Sequence, residues 1–228
     1  MQTSRGGLIV IDGTDGSGKA TQVKILTDRL QQEGVAIASF DFPQYGKKSS
    51  GLVENYLNGA YGTADAVGAY RASLFYACDR YDASFAIRKA LNEGKVIVTN
   101  RYVSANLGHQ MAKIANTQER KKFRDWLYDV EYGIFDIPKP DLQIMLHVTP
   151  EISQKLVDDK GHRDYVGGVK RDIHEADIHH LRKAEQAYKE IAQLPGFTLI
   201  ECVENGEIFS REIIAERIWT VVAPTLGL

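Results

Sequence analysis

Five short apolar runs punctuate the chain: LIVID at 8–12, VAIASF at 35–40, KVIVTN at 95–100, LQIMLHV at 142–148 and FTLIEC at 197–202. Each is rich in β-branched residues and lacks the apolar–polar alternation of a half-exposed strand. Each therefore predicts a strand covered on both faces. Between the runs the period changes. Residues 19–34 put Val23, Leu26 and Leu30 on one side of a helix that stops at Gly34, and residues 70–94 predict a long helix closed by Gly94. Strand and helix alternate throughout, which predicts an α/β layered fold around a parallel sheet. In such sheets ligands gather beyond the carboxyl ends of the strands, so the loops that follow the runs are where chemistry is expected.

Composition narrows the possible partners. The 228 residues suffice for one domain, 1–228, with a sizeable core. The 28 basic and 30 acidic residues, with a pI near 6.3, give no basic surface for nucleic acid or membranes and leave small solutes as the better candidates. Cys78 and Cys202 are far apart, without C-x-x-C spacing, and are expected to be buried apolar side chains rather than a disulfide or zinc site. The first apolar run is broken by Asp12 too early for a signal peptide or a membrane span, so a cytoplasmic protein is expected.

The loop after the first run, GTDGSGKA, is one hydroxyl short of the pattern G-x-x-x-x-G-K-[ST]. A strand that enters glycine-spaced turns and then a helix makes a nest of inward N–H groups at a positive helix end. Gly13, Thr14, Asp15, Gly16, Ser17, Gly18, Lys19, Ala20 and Thr21 form the expected site for ATP phosphates, with Lys19 reaching the β- and γ-phosphates. Ala20 removes the hydroxyl that would touch Mg²⁺. The ion is then expected on the nucleotide's own oxygens, on water and on a nearby carboxylate, for which Asp12 and Asp15 are the nearest. The later loops, DFPQYGKKSSG after the second run and NRYVSANLGHQ after the third, carry charged and amide side chains in the same layer.

GTDGSGKATQ, DFP, LFYACDRYDASFAIRKALNEGKVIVTNRY and PDLQIMLHVTPE together resemble the thymidylate kinases, over most of the chain and in the right order. The resemblance implies a three-layer P-loop NTPase fold: a five-stranded parallel sheet, helices on both faces and a lid, placed in the glycine-rich tract around 157–173. It implies ATP and dTMP as substrates, Mg²⁺ as the cofactor and a homodimer. Asp15 resembles the aspartate that meets the 3′-hydroxyl, and it is the metal candidate, directly or through water. Arg101 looks like the arginine near the acceptor phosphate, a task that suits a planar guanidinium. Tyr76 resembles the aromatic that stacks on thymine and Arg80, one turn on, the arginine that bonds the base. Phe42 and Pro43 match the wall beside base and sugar, and Asn106, His109 and Gln110 the rest of the pocket. In the lid, Arg163 and Arg171 are the expected neutralisers of charge on the transferred phosphoryl group.

Four positions depart from the family pattern. Ala20 lacks the hydroxyl, Asn100 stands where aspartate is usual, Tyr45 where some relatives have arginine, and His109 where many have a tyrosine that crowds the 2′ position. Lys47 and Lys48 are candidates to replace the missing positive charge. Two other readings follow from the departures: a kinase of another deoxynucleotide or a deoxynucleoside, and a non-catalytic nucleotide sensor.

Overall fold

Cover on both faces is what makes the apolar runs continuous. A computed structural model describes residues 6–158 and 178–228. In it every residue of β1 (Leu8–Gly13) is buried. Leu8 and Val10 pack in one core with Ile87, Leu107, Phe123 and Tyr188, whereas Ile9 and Ile11 pack in a second with Leu26, Leu30, Ile218 and Val222. The first core lies beneath α4 (Ala69–Asn92), α5 (Val103–His109) and α8 (Ile178–Ile191), the second beneath α1 (Lys19–Gln32) and α9 (Arg211–Leu226). Full burial of such aliphatic side chains stabilises by about 1.5–3 kcal/mol each.

Five strands form the sheet, all parallel, in the order β2-β3-β1-β4-β5, with β2 at Ile37–Asp41, β3 at Val96–Asn100, β4 at Leu142–His147 and β5 at Phe197–Glu201. The three-layer expectation therefore holds. The second run starts its strand at Ile37 rather than Val35, because the Val35 amide turns back to the carbonyl of Leu30 to close α1 behind Gly34 (φ 78°). At the end of β1, Gly13 has φ 142°, and a Cβ there would lie 2.3 Å from the carbonyl oxygen of Leu146. The first glycine of the loop is thus required by the packing of β4 before any ligand is considered.

Four more α-helices lie among the described residues. They are α2 (Gly51–Leu57), α3 (Ala64–Val67), α6 (Thr117–Tyr128) and α7 (Pro150–Asp158). Most of the expected lid, and Arg163 and Arg171 with it, lies outside the described residues. Of the two cysteines, Cys202 is buried but Cys78 is exposed. Cys78 falls on the outer stripe of α4, between exposed Leu74 and Tyr81, which corrects the expectation that both are core residues.

Arg80 is the largest fully buried side chain among the described residues. Its Nε donates to both carboxylate oxygens of Glu131 at 3.0 Å, Nη2 donates to the same carboxylate, and Nη1 reaches the carbonyl of Tyr102 at 3.2 Å. Glu131 comes inward from a π-helical turn, Asp129–Ile134, that follows α6. It is fully buried too. Removing one charge of such a pair leaves the other in a dry interior without a counterion. Glu131→Gln is expected to destabilise the fold by about 3–5 kcal/mol, read by urea denaturation. A loss below about 1 kcal/mol would mean that Arg80 finds other partners at little cost.

Candidate active site

Glycine spacing in the first loop serves backbone geometry. Gly16 (φ 80°) and Gly18 (φ 85°) hold left-handed conformations that a side chain disfavours, and they turn the chain from β1 into α1. Gly18, the residue that caps α1, supplies no side-chain hydrogen bond to the helix start. The amides of its first turn thus have no side-chain acceptor from the cap, as a phosphate site requires. Lys19 is buried and folds back, its Nζ donating to the carbonyls of Gly13 at 3.0 Å and Thr14 at 2.7 Å. The hydroxyls of Thr14 and Ser17 are buried and have no hydrogen-bond partner among the described residues. Two orphaned donors within a glycine nest fit phosphate oxygens. Ala20, next to Lys19, is exposed and Thr21 half-buried.

Just before the loop, Asp12 is fully buried and accepts from three elements: the amide of Gly13 at 2.8 Å, the hydroxyl of Ser104 on α5 at 2.6 Å, and the hydroxyl of Tyr188 on α8 at 3.0 Å. A further tie joins α7, whose Ser153 hydroxyl donates to the carbonyl of Asp15. Neither Ser104, Ser153 nor Tyr188 was among the expected residues. Each is a common core or helix residue in sequence, and its partner lies 92, 138 or 176 positions away.

Arg101, directly after β3, has φ 64°. That conformation is rare for a residue with a side chain, and here its amide is held by the carbonyl of Ile11 at 3.0 Å and its carbonyl by the Thr99 hydroxyl at 2.9 Å. The guanidinium is thereby brought across to the phosphate loop, where Nη2 donates to the Asp15 carboxylate and Nη1 lies 3.1 Å from Nε2 of His109. A guanidinium can only donate, so Nε2 of His109 accepts and the ring is neutral in this contact. Tyr188 packs edge-on against the same imidazole, with centroids 5.6 Å apart. A Cβ on Gly108 would lie 2.2 Å from that tyrosine ring, so the glycine before His109 is what lets α8 approach.

On the acceptor side, Phe42 is buried and Pro43 half-buried; Phe42 packs edge-on against Tyr102 at 5.8 Å. The loop that follows is fastened to α4 by buried Asp79, which accepts from the amide of Gln44 at 2.8 Å and from Ser49 at 2.6 Å. Tyr76 is half-buried and meets Tyr56 edge-on at 6.3 Å. Asn106 and Gln110 are buried, the first donating to the carbonyl of Ser73 at 3.2 Å, the second with an Oε1 that has no partner among the described residues. The donors of Arg80 are directed to Glu131 and to the carbonyl of Tyr102. Lys47 donates to Gln44 at 2.5 Å, while Lys48 and Tyr45 are exposed.

A glycine nest between a central parallel strand and a helix, a buried lysine behind it and an arginine beside it define a P-loop nucleotide phosphotransferase. The chain belongs to the thymidylate kinase family, whose model matches residues 11–213. It is 29% identical to the thymidylate kinase of Mycobacterium tuberculosis over 186 residues, 81% of this chain and 85% of that one. With the probable thymidylate kinase of Pyrococcus horikoshii it shares 26% over 218 residues, 92% of this chain and 95% of that one. Among solved structures, a thymidylate kinase from Candida albicans described as having broad substrate specificity superposes with a TM-score of 0.74 at 25% identity, over 96% of this chain and 92% of that one.

Burial acts to raise the Asp15 carboxyl, but the charges of Arg101 and Lys19, with the Arg101 hydrogen bond, outweigh it and hold the group well below the usual carboxylate range. A carboxylate depressed in the folded state stabilises at every pH above its unfolded value of about 3.9. That contribution is lost as the pH falls through the folded value. Asp15→Asn is therefore expected to lower Tm near neutral pH, with the gap to wild type closing below about pH 4. Thermal unfolding followed from about pH 7 to about pH 2.5 checks this, and a gap that stays constant contradicts the assignment.

Proposed function

We propose that this chain transfers the γ-phosphoryl group of ATP to the phosphate of dTMP, giving ADP and dTDP, at the loop 13–21 and the facing Arg101. The observation that carries the reading is Arg101, held in a left-handed backbone conformation with its guanidinium between Asp15 and His109 beside the phosphate loop. In this reading the loop amides, Lys19 and the hydroxyls of Thr14 and Ser17 bind the ATP phosphates. An incoming acceptor phosphate competes with Asp15 for the guanidinium fork, so Asp15 keeps Arg101 in place before substrate arrives and meets the sugar hydroxyl afterwards. Phe42, Pro43, Tyr76, Asn106 and Gln110 form the base pocket. Mg²⁺, held chiefly by the phosphates and water, neutralises charge on the transferred group. Arg163 and Arg171, outside the described residues, are assigned to the same neutralisation by the resemblance alone. No general base is needed, because the acceptor phosphate is already anionic.

A reducing cytoplasm suits the two free cysteines, one of them exposed. No helix among the described residues is long and apolar enough to cross a membrane. A second substrate reading, another deoxynucleotide, is supported by His109, whose ring is smaller than the tyrosine usual at that position.

Lys19→Ala is expected to lower turnover of ATP with dTMP by at least about 10²–10³-fold, the usual effect of deleting one preorganised donor to a transition-state oxyanion. The assay is coupled ADP release with dTMP, dUMP, dCMP and dGMP in turn. Near-normal turnover by the variant would overturn the site. No turnover by wild type with any of the four, despite ATP binding, would favour a sensor.

The exposed side chains Tyr70, Leu74, Cys78, Tyr81 and Phe85 lie on one stripe of α4, and Phe85 is 59% exposed. An aromatic stripe of this kind on an otherwise well-packed helix supports a homodimer formed through α4. Phe85→Glu is expected to shift sedimentation from dimer to monomer with far-UV circular dichroism unchanged. A wild-type chain that sediments as a monomer overturns the assignment.

A further inference from the structure

The geometry points to Asp41 as the carboxylate through which this chain holds the divalent cation of the bound nucleotide, in place of the oxygen that Ala20 lacks. This rests on the nucleotide reading above. The cation needs hard oxygen donors, and Mg²⁺ beside a polyphosphate commonly takes one or two protein carboxylates with water completing its shell. The carboxyl ends of the strands offer three carboxylates near the loop. Asp12 is buried and committed to three donors, from Gly13, Ser104 and Tyr188. Asp15 is held by Arg101 and lies 4.0 Å from Nζ of Lys19, in the most cationic part of the site. A divalent ion there would have to displace Arg101 from its ion pair and lie directly beside Lys19.

Asp41 differs from both. It ends β2, in register with Asn100 of β3, and Asn100 in turn is in register with Ile11, the residue before Asp12. It is exposed rather than buried. Its Oδ1 accepts the Asn100 amide at 2.8 Å, a neutral contact that orients the carboxylate. The Oδ1 of Asn100 is itself buried and has no partner among the described residues, which adds a neutral oxygen at the same strand ends. Arg101 and Lys19 both act electrostatically on Asp41, so it is in reach of the groups that bind phosphate. The asparagine has a place in this arrangement: a carboxylate at position 100, paired directly with Asp41, would set two like charges side by side.

The test is the affinity of the full-length protein for ADP with and without Mg²⁺, by calorimetry, for wild type and Asp41→Asn. The exchange is nearly isosteric at an exposed position, and Asp41→Ala with a thermal unfolding control guards against a local effect of the amide. The factor by which Mg²⁺ tightens ADP binding is expected to fall about tenfold or more in both variants. Metal-free ADP should bind equally or more tightly, because a negative charge near the phosphates has gone. Mn²⁺ bound to the ADP complex, read by water-proton relaxation, should weaken in parallel. An unchanged Mg²⁺ factor with ADP binding intact overturns the inference and leaves the nucleotide reading standing. Absence of ADP binding by the wild-type protein overturns both.

Discussion

Asp12 is the point on which the site depends. It stands at the carboxyl end of the central strand and has no access to water, so its charge must be met by protein donors. The three that meet it come from the phosphate loop, from α5 and from α8. One desolvated carboxylate thereby fixes the relative position of three elements distant in sequence. Tyr188 transmits the constraint further: its hydroxyl binds Asp12, its ring abuts His109, and the missing side chain of Gly108 gives it room. His109 in turn meets Arg101, which meets Asp15. The chain of contacts starts and ends on the phosphate loop, closing a ring of polar groups around the place where charge must be handled.

The ring also accounts for the backbone conformation of Arg101. A left-handed backbone at a non-glycine residue costs on the order of 1 kcal/mol or more and survives only where its surroundings impose it. Two hydrogen bonds, to Ile11 and from Thr99, impose it here. The reward is placement. An arginine in ordinary strand conformation at the end of β3 would carry on along the strand, whereas this one turns across the sheet to the first loop. In the proposed reaction Asp15 serves two purposes. It keeps the guanidinium oriented in the absence of substrate, and it is a partner that a doubly charged phosphate would displace, since a bidentate phosphate contact would replace the one that is broken.

Much of this was legible in the sequence because it depends on local rules. The five runs became five strands, and the loop was readable from glycine spacing alone, since left-handed turns and close strand approach at Gly13, Gly16 and Gly18 both exclude side chains. What was not legible depends on distant pairing. Nothing in VEYGIF marks Glu131 as a buried residue, because its inward direction comes from a π-helical turn and its partner is 51 positions away. Asp79 looks like any helix carboxylate until the loop from Gln44 to Ser49 is seen to fold onto it. Cys78 misled for the converse reason: cysteine is usually buried, but Cys78 lies on the exposed side of α4 with Leu74 and Phe85.

The Arg80–Glu131 pair shows how such distant pairing bears on specificity. Two charges taken fully out of water gain little net stability from each other, so well-packed apolar residues of similar size would serve the core as well. An ion pair adds direction. Three donors of one guanidinium, used on Glu131 and on the carbonyl of Tyr102, fix α4 in rotation against both the turn after α6 and the residue next to Arg101. Tyr76 lies one turn before Arg80 on the same helix, and the Tyr102 carbonyl belongs to the segment that carries Arg101 and His109. Any rotation of α4 that moved Tyr76 would therefore strip a buried arginine of its acceptors. Tyr76 and Arg101 are held in one frame because the guanidinium of Arg80 is bonded to both sides of it.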